Sequence, residues 1–304
     1  QEQWEFLKGL MTMFNLVSVP DKDNPNNIII EPYSDVFIHN TSSDTISDLT
    51  LASRSIAHDW TDKIDITQIK LKPLTDLKKE TLFKFTDDKE DFAFNNYRTQ
   101  VGGHLYGSLE WDATALTALT GTDTVEAKPF AATVPKPLMS QYADLIAPAI
   151  YSYNADEGTT EGFENAPRIL YNNGIQNLTS CTYHIPEQND DTEEDATQFL
   201  QFTHLSHTPS SSAYTRDFNF GGCQYIGLGS TPIRNLFNVY WSPYYYELYN
   251  PDTRIMTLKV NLSPSDINTF SFFDTVMIKN REFRVNKIDY KPNDLATVEF
   301  ILIP

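Results

Sequence analysis

The sequence predicts a mainly β chain with a short N-terminal helix, an inserted mixed or β domain, and a C-terminal antiparallel meander able to form half of a small barrel. Three observations lead there. Apolar and polar residues alternate with period two in the runs between Arg254 and Ile303. Clusters of Asn, Asp, Pro and Gly cut the rest of the chain into short segments. Sixteen Tyr and nineteen Phe in 304 residues suit packed sheets and interfaces.

That length exceeds what one hydrophobic core usually serves, so more than one domain is expected. The segments read as 1–108, β-rich and a candidate first barrel; 109–249, inserted or peripheral; and 250–304, the meander. The chain opens on Gln1 and not on Met, which leads to the expectation of a longer product.

Taken in order, Trp4–Phe14 places Phe6, Leu7, Leu10, Met11 and Phe14 on one stripe at helical spacing, with Gly9 a slight weakness. Asn15–Pro20 and Ile28–Glu31 read as a hairpin around the turn-forming run Asp21–Asn27. Ile64–Leu71 reads as extended, and Thr81–Phe85 alternates. Phe92–Tyr106 carries Gly102, Gly103 and Gly107, which favours a loop or bulged strand over a helix. Val125–Thr133 reads as a strand, followed by proline-punctuated extended chain to Tyr153. Pro167–Tyr171, then Asn172-Asn173-Gly174, gives the strongest hairpin signal, with Thr179–Ile185 as its second arm.

Six of the nine residues Glu187–Asp195 are acidic, marking a solvated loop, and Gln198–His207 is extended again. Leu236–Tyr249 is dense in rings and reads as a helix interrupted by Pro243, with its rings on one side. Finally, Arg254–Leu262 alternates, Ser263-Pro264-Ser265-Asp266 caps a short turn or helix, and strands follow at Thr275–Ile278, Phe283–Tyr290 and Ala296–Ile303.

Charge and composition narrow the function. The net charge of −18 repels phosphate backbones and anionic lipid, and no basic patch offsets it, so no specific nucleic-acid binding is expected. An acidic wall would also let DNA slide through a conduit without sticking. No run approaches the ~18 apolar residues of a membrane helix. Two cysteines, Cys181 and Cys223, are too few for a disulfide framework.

Motifs for chemistry are weak. Cys181-x-x-His184 and His204-x-x-His207 supply zinc-type ligands. In extended chain, however, residues i and i+3 point to opposite faces, so exposed loop histidines are the favoured reading. The Asp21/Asp23 region lacks the central Gly and terminal Glu of a calcium loop. Gly221-Gly222 and Gly227-x-Gly229 have no βαβ context, and Gly227-Leu228-Gly229-Ser230 is not a nucleophile elbow. No pair stands out among 41 carboxylates as a glycosidase couple. The expectation is a non-enzyme without cofactor or metal.

The remaining candidate site is the aromatic block Phe237, Tyr240, Trp241, Tyr244, Tyr245, Tyr246 and Tyr249. Such rings anchor protein interfaces or stack on sugars, and an interface is preferred here.

Two passages resemble a known family. Arg254–Ile267, continued by Phe273–Ile278, Phe283–Tyr290 and Val298–Leu302, is similar to the end of large bacteriophage tail structural proteins of the tail-hub or baseplate type. Phe92-x-Phe94-Asn95-Asn96-Tyr97 through Tyr106-Gly107, and Ala166–Tyr171, look like the middle of the same proteins. The resemblance implies tail-tube-like β-barrel units in a hub that connects the tail tube to spike or fibres. It also implies a homo-oligomer, with a trimer favoured, assembled in the host cytoplasm and carried in the virion tail. It carries no catalytic residues over, and a matching first barrel is not delimited. The alternatives are a carbohydrate-binding or hydrolysing receptor-recognition module and, more weakly, a capsid protein.

Overall fold

The computed structural model describes residues 3–21, 24, 26–38, 55–73, 77–139, 142–148, 165–178, 182–185, 194–206, 216–223 and 232–303. In chain order its elements begin with α1 (Gln3–Met13), β1 (Leu16–Pro20), β2 (Ile28–Pro32), α2 (Tyr33–Phe37), β3 (Ala57–Asp59), β4 (Ile64–Pro73) and β5 (Glu80–Thr86). Next come α3 (Phe92–Gln100), β6 (Leu109–Asp112), β7 (Thr122–Ala131), β8 (Pro135–Met139), β9 (Tyr142–Pro148), β10 (Tyr171–Asn177), β11 (Tyr183–Ile185), β12 (Glu194–Ala196) and β13 (Gln198–Thr203). A π-helical turn, Phe237–Trp241, leads into α4 (Ser242–Leu248). The last elements are β14 (Arg254–Val260), α5 (Pro264–Thr269), β15 (Thr275–Ile278), β16 (Arg281–Asp289) and β17 (Ala296–Leu302). With 41% strand and 22% helix the chain is mainly β.

Contacts divide the chain into two units, neither continuous in sequence. One comprises Gln1–Met13, Leu82–Trp111 and Thr124–Val239; the other comprises Phe14–Thr81, Asp112–Asp123 and Tyr240–Pro304. The segment 250–304 therefore does not stand alone.

In the second unit six strands lie in the order β3-β15-β16-β17-β14-β4. β15, β16 and β17 are neighbours in sequence and in space, as a meander requires, but β14 lies against β17, with Leu258 opposite Val298. β4 then pairs antiparallel with β14, and β3 pairs parallel with β15. Among the described residues this sheet does not close into a barrel, and neither does any other.

One face of the sheet carries the core: Leu258, Val260, Val276, Phe283, Val285, Val298 and Phe300 pack with Trp60 and Phe270. Trp60 makes ring contacts with Phe270 at 5.4 Å and Phe300 at 6.1 Å. Helix α5 starts where Pro264 suits the first helical turn, and Ser263 and Asp266 form a reciprocal capping box. Lys63 donates to Asp266 at 2.5 Å, and this bond, helped by the cap, holds the Asp266 carboxyl down at about 2.

Because that value lies below the 3.8 of a free aspartate, the associated stability is complete above the unfolded value and disappears as pH falls toward 2. The expected result is an Asp266→Asn chain with a lower melting temperature than the parent at pH 6. The gap should shrink through pH 4 and vanish near pH 2 when both are followed by circular dichroism.

The hairpin β1–β2 forms as expected, with Val19 opposite Ile29, and buries Val19 with Val36 of α2.

In the first unit, β5 shows period-two burial, with Phe83 and Phe85 packed against Phe220 at 5.7 and 5.2 Å. β5 is the middle strand of the sheet β6-β5-β7. Phe92–Gln100 is a helix, correcting the loop or strand read from its glycines. The Asp91 side chain caps it by accepting from the amides of Ala93 and Phe94, and the positive-φ Gly102 and Gly103 lie just beyond its end. Asp91 is in turn held by Arg168, which also pairs with Asp88 at 2.6 Å.

The Asn172-Asn173-Gly174 hairpin is a second correction. β10 runs straight through these residues and pairs with β13, and the register shift between Asn172 and Ile175 absorbs the positive φ of Gly174. The second expected arm lies partly outside the described residues, and its last part, β11, pairs with β12.

Gly9 has a role that helical periodicity hides. A Cβ there would run into the Lys128 backbone carbonyl and reach Phe130 ring carbons at 2.7 and 2.8 Å. Alanine improves helix propensity by about 1 kcal/mol, but overpacking against backbone costs about 1–3 kcal/mol. Gly9→Ala is thus expected to destabilise the chain in urea melts, and a stabilised variant would refute the packing argument.

Candidate functional site

The aromatic block is mostly consumed by its own chain. In the first unit, Phe237 is buried against Phe83 at 5.1 Å. In the second, Tyr240 meets Phe14 edge-on at 5.2 Å, and Trp241 contacts Tyr244 and Tyr245. Tyr245 stacks on Tyr249 and donates to Thr81, and Tyr249 donates to the Lys78 carbonyl at 2.8 Å. Pro243 sits in the first turn of α4, directly after the π-helical turn, so the helical run from Phe237 to Leu248 changes pitch beside it. The rings do not share one side: Tyr245 is 7% exposed and Tyr246 78%. Of the seven, Tyr246 presents an open ring surface.

α4 also contributes Glu247, which the reading of the rings passed over. Its carboxylate takes a two-pronged bond from Arg284 of β16, with Nη1 to Oε2 and Nη2 to Oε1 both at 2.7 Å. Arg284 Nη1 further donates to the Tyr33 hydroxyl at 2.6 Å and Nη2 to the Phe37 carbonyl at 3.0 Å, while Tyr33 donates to Glu247 Oε2 at 3.0 Å. The guanidinium carbon lies 5.7 Å from the centre of the Tyr33 ring and 5.3 Å from that of Phe37.

Burial alone would weaken the charge on Arg284, but the Glu247 carboxylate outweighs it and holds the guanidinium above its ordinary value. Burial pushes the Tyr33 phenol up, with Arg284 partly opposing. Beside this cluster is a cavity of about 250 Å³, lined among others by Phe37, Tyr244, Leu248, Arg284, Ile301 and Ile303. Signals for it were present in sequence only as isolated charges, Glu247 among tyrosines and Arg284 in an alternating strand.

A second cluster lies in the first unit. His204 Nδ1 contacts Asp217 Oδ1 at 2.7 Å, and its Nε2 contacts the Tyr106 hydroxyl at 2.8 Å. Asp217 also accepts from the Asn219 amide at 2.9 Å. His204 is 4% exposed, which corrects the exposed loop histidine expected from sequence. With Tyr106 and Asp217 equally enclosed, the triad pins strand to loop and offers no open face to a substrate. Among the described residues no three His, Cys, Asp or Glu side chains are grouped to hold a metal. Cys181 and His207 lie outside them.

Cys223 is buried nearby, with the Gly107 amide donating to its Sγ at 2.9 Å. Burial pushes its thiol up to about 12. In a Cys181→Ser chain, reaction with a thiol reagent at pH 8 is expected only after denaturation; labelling of the native protein at free-thiol rates would show this environment to be wrong.

No family model matches the chain, and no characterised protein matches it in sequence. Among the described residues no helix is long and apolar enough to cross a membrane.

Proposed function

We propose that this chain is a structural component of a tailed-phage virion, of the tail-hub or baseplate type, working through contacts with copies of itself and with tube, spike or fibre proteins. One observation carries the assembly role: the edge strand β4 leaves Ile66, Ile69 and Leu71 exposed, at 63%, 47% and 64%. Among the described residues no strand pairs with the outer edge of β4, and an apolar strand edge of that kind is a template for another chain.

The same strand carries Lys70 and Lys72 within a chain of net charge −18. Its edge thus attracts an acidic surface such as a second copy presents. Leu71 also borders a groove of about 640 Å³ lined by Arg254, Met256, Phe283 and Leu302. The resemblance of Arg254–Leu302 to tail-hub proteins directs this assembly role to the virion tail, and those residues form β14 through β17.

Sedimentation of the purified chain, and mass spectrometry of virions from cells that make it, test the reading. A trimer or ring that dissociates in an Ile66→Lys, Leu71→Lys variant, with the chain present in particles, is expected. A monomer at all concentrations together with absence from particles would sink it.

A further inference from the structure

We infer that the cavity beside Arg284 is a binding site for an uncharged, mainly apolar group, and that its arginine does not recognise anions. A buried arginine in a pocket ordinarily suggests a carboxylate or phosphate ligand. Here all four terminal N–H bonds of Arg284 are already placed: two on Glu247, one on Tyr33 and one on the Phe37 carbonyl. The remaining donor, Nε, is buried away from solvent and bonds to no described residue.

Both Glu247 oxygens are engaged by the same guanidinium, and one also accepts from Tyr33, so the acid is no better placed to hold a cation. The ion pair therefore enters the wall as a neutral unit whose terminal donors are all placed. An anion entering the cavity would shed its water and find every terminal N–H of the arginine already taken, with only the solvent-buried Nε left over, at the cost of a poorly paired buried charge.

What remains facing the space is mainly apolar: Phe37, Leu248, Ile301 and Ile303 with the ring of Tyr244, beside Thr253 and Asn286, whose side chains donate to the Glu247 carbonyl and to Glu299. Of the polar groups in the lining, the Tyr244 hydroxyl is the one that we assign to a ligand. A group of leucine or phenylalanine size fits about 250 Å³, and it matches that lining with at most one polar atom. It can arrive as a free small molecule or as a side chain offered by a partner. This ligand class follows from the cavity and stands whether or not the chain assembles.

The test uses methyl-labelled full-length chain, assigned at Leu248, Ile301 and Ile303, with toluene, N-acetyl-phenylalanine methylamide and phenylacetate as probes. The two neutral probes are expected to shift those methyls with dissociation constants of about 1–10 mM. Phenylacetate is expected to bind at least about tenfold more weakly, since one unpaired charge costs more than the ~1.4 kcal/mol of a tenfold step. Tighter binding of the capped amino acid than of toluene identifies a partner's side chain as the source; the reverse identifies a free molecule.

Filling the space with Leu248→Phe or, separately, Ile303→Phe should abolish the shifts in whichever variant retains the parent's circular dichroism. Phenylacetate binding as well as the neutral probes, no shift with any probe, or shifts undiminished in both filled and folded variants would each overturn the assignment.

Discussion

Trp60→Ala is expected to destabilise the second unit by about 3–5 kcal/mol, among the largest effects of any single substitution in this chain. Trp60 is 2% exposed and sits between Phe270 and Phe300, where the six-stranded sheet buries its core face. Removing the indole deletes apolar area and leaves a void walled by aromatic rings and β-strands, which collapse poorly. Its backbone amide bond to the Met277 carbonyl survives the substitution, so the loss reports packing and not a lost hydrogen bond. Trp4, 56% exposed on α1, supplies the control: Trp4→Ala should stay within about 0.5 kcal/mol. Urea unfolding followed by far-ultraviolet circular dichroism measures both. Equal small effects would mean that Trp60 is not enclosed as described.

Glu247→Ala ranks second, with an expected loss of about 3 kcal/mol. The substitution leaves the Arg284 guanidinium, whose side chain is 8% exposed, without its counter-charge. Tyr33 and the Phe37 carbonyl still accept from it, and Glu247 itself is 24% exposed, which lets water replace part of the lost bond. These keep the loss at the lower end of what breaking a buried pair costs. The double substitution Glu247→Leu, Arg284→Met removes both charges and should recover most of the stability, because a buried ion pair and an apolar pair of similar size are close in net free energy. A double variant as unstable as Glu247→Ala would show that the cluster contributes through its hydrogen-bond geometry and not through charge balance.

Much of the local structure was legible in the residues. The helix at the N-terminus, the first hairpin, the strand at Thr81–Phe85 and the strands after Arg254 all follow from periods of 3.6 or two that each segment carries within itself. The capping box at Ser263 and Asp266 is equally local. Where the reading failed, a distant residue decided. Helix α3 depends on Asp91, which Arg168 fixes from 77 positions away, and the glycines that follow merely end it. Asn172-Asn173-Gly174 had the chemistry of a turn, but Asn173 accepts from Thr203 and donates to the Leu205 carbonyl, which keeps the chain in the ladder with β13.

The candidate site divides in the same way. The concentration of rings between Phe237 and Tyr249 was plain, but not which of them the fold would consume; Tyr245 and Tyr246 are adjacent and end up at opposite extremes of exposure. By itself the sequence determined the β-rich character, the acidic surface and the positions of most strands, because amphipathic period, net charge and caps are properties of neighbouring residues. Tertiary structure alone decided that β14 lies beside β17, that β4 forms the sheet edge, and that Arg284 and Glu247 cancel within one wall. Strand pairing and desolvation join residues far apart in sequence, and their free energy exists only once the chain has brought them together.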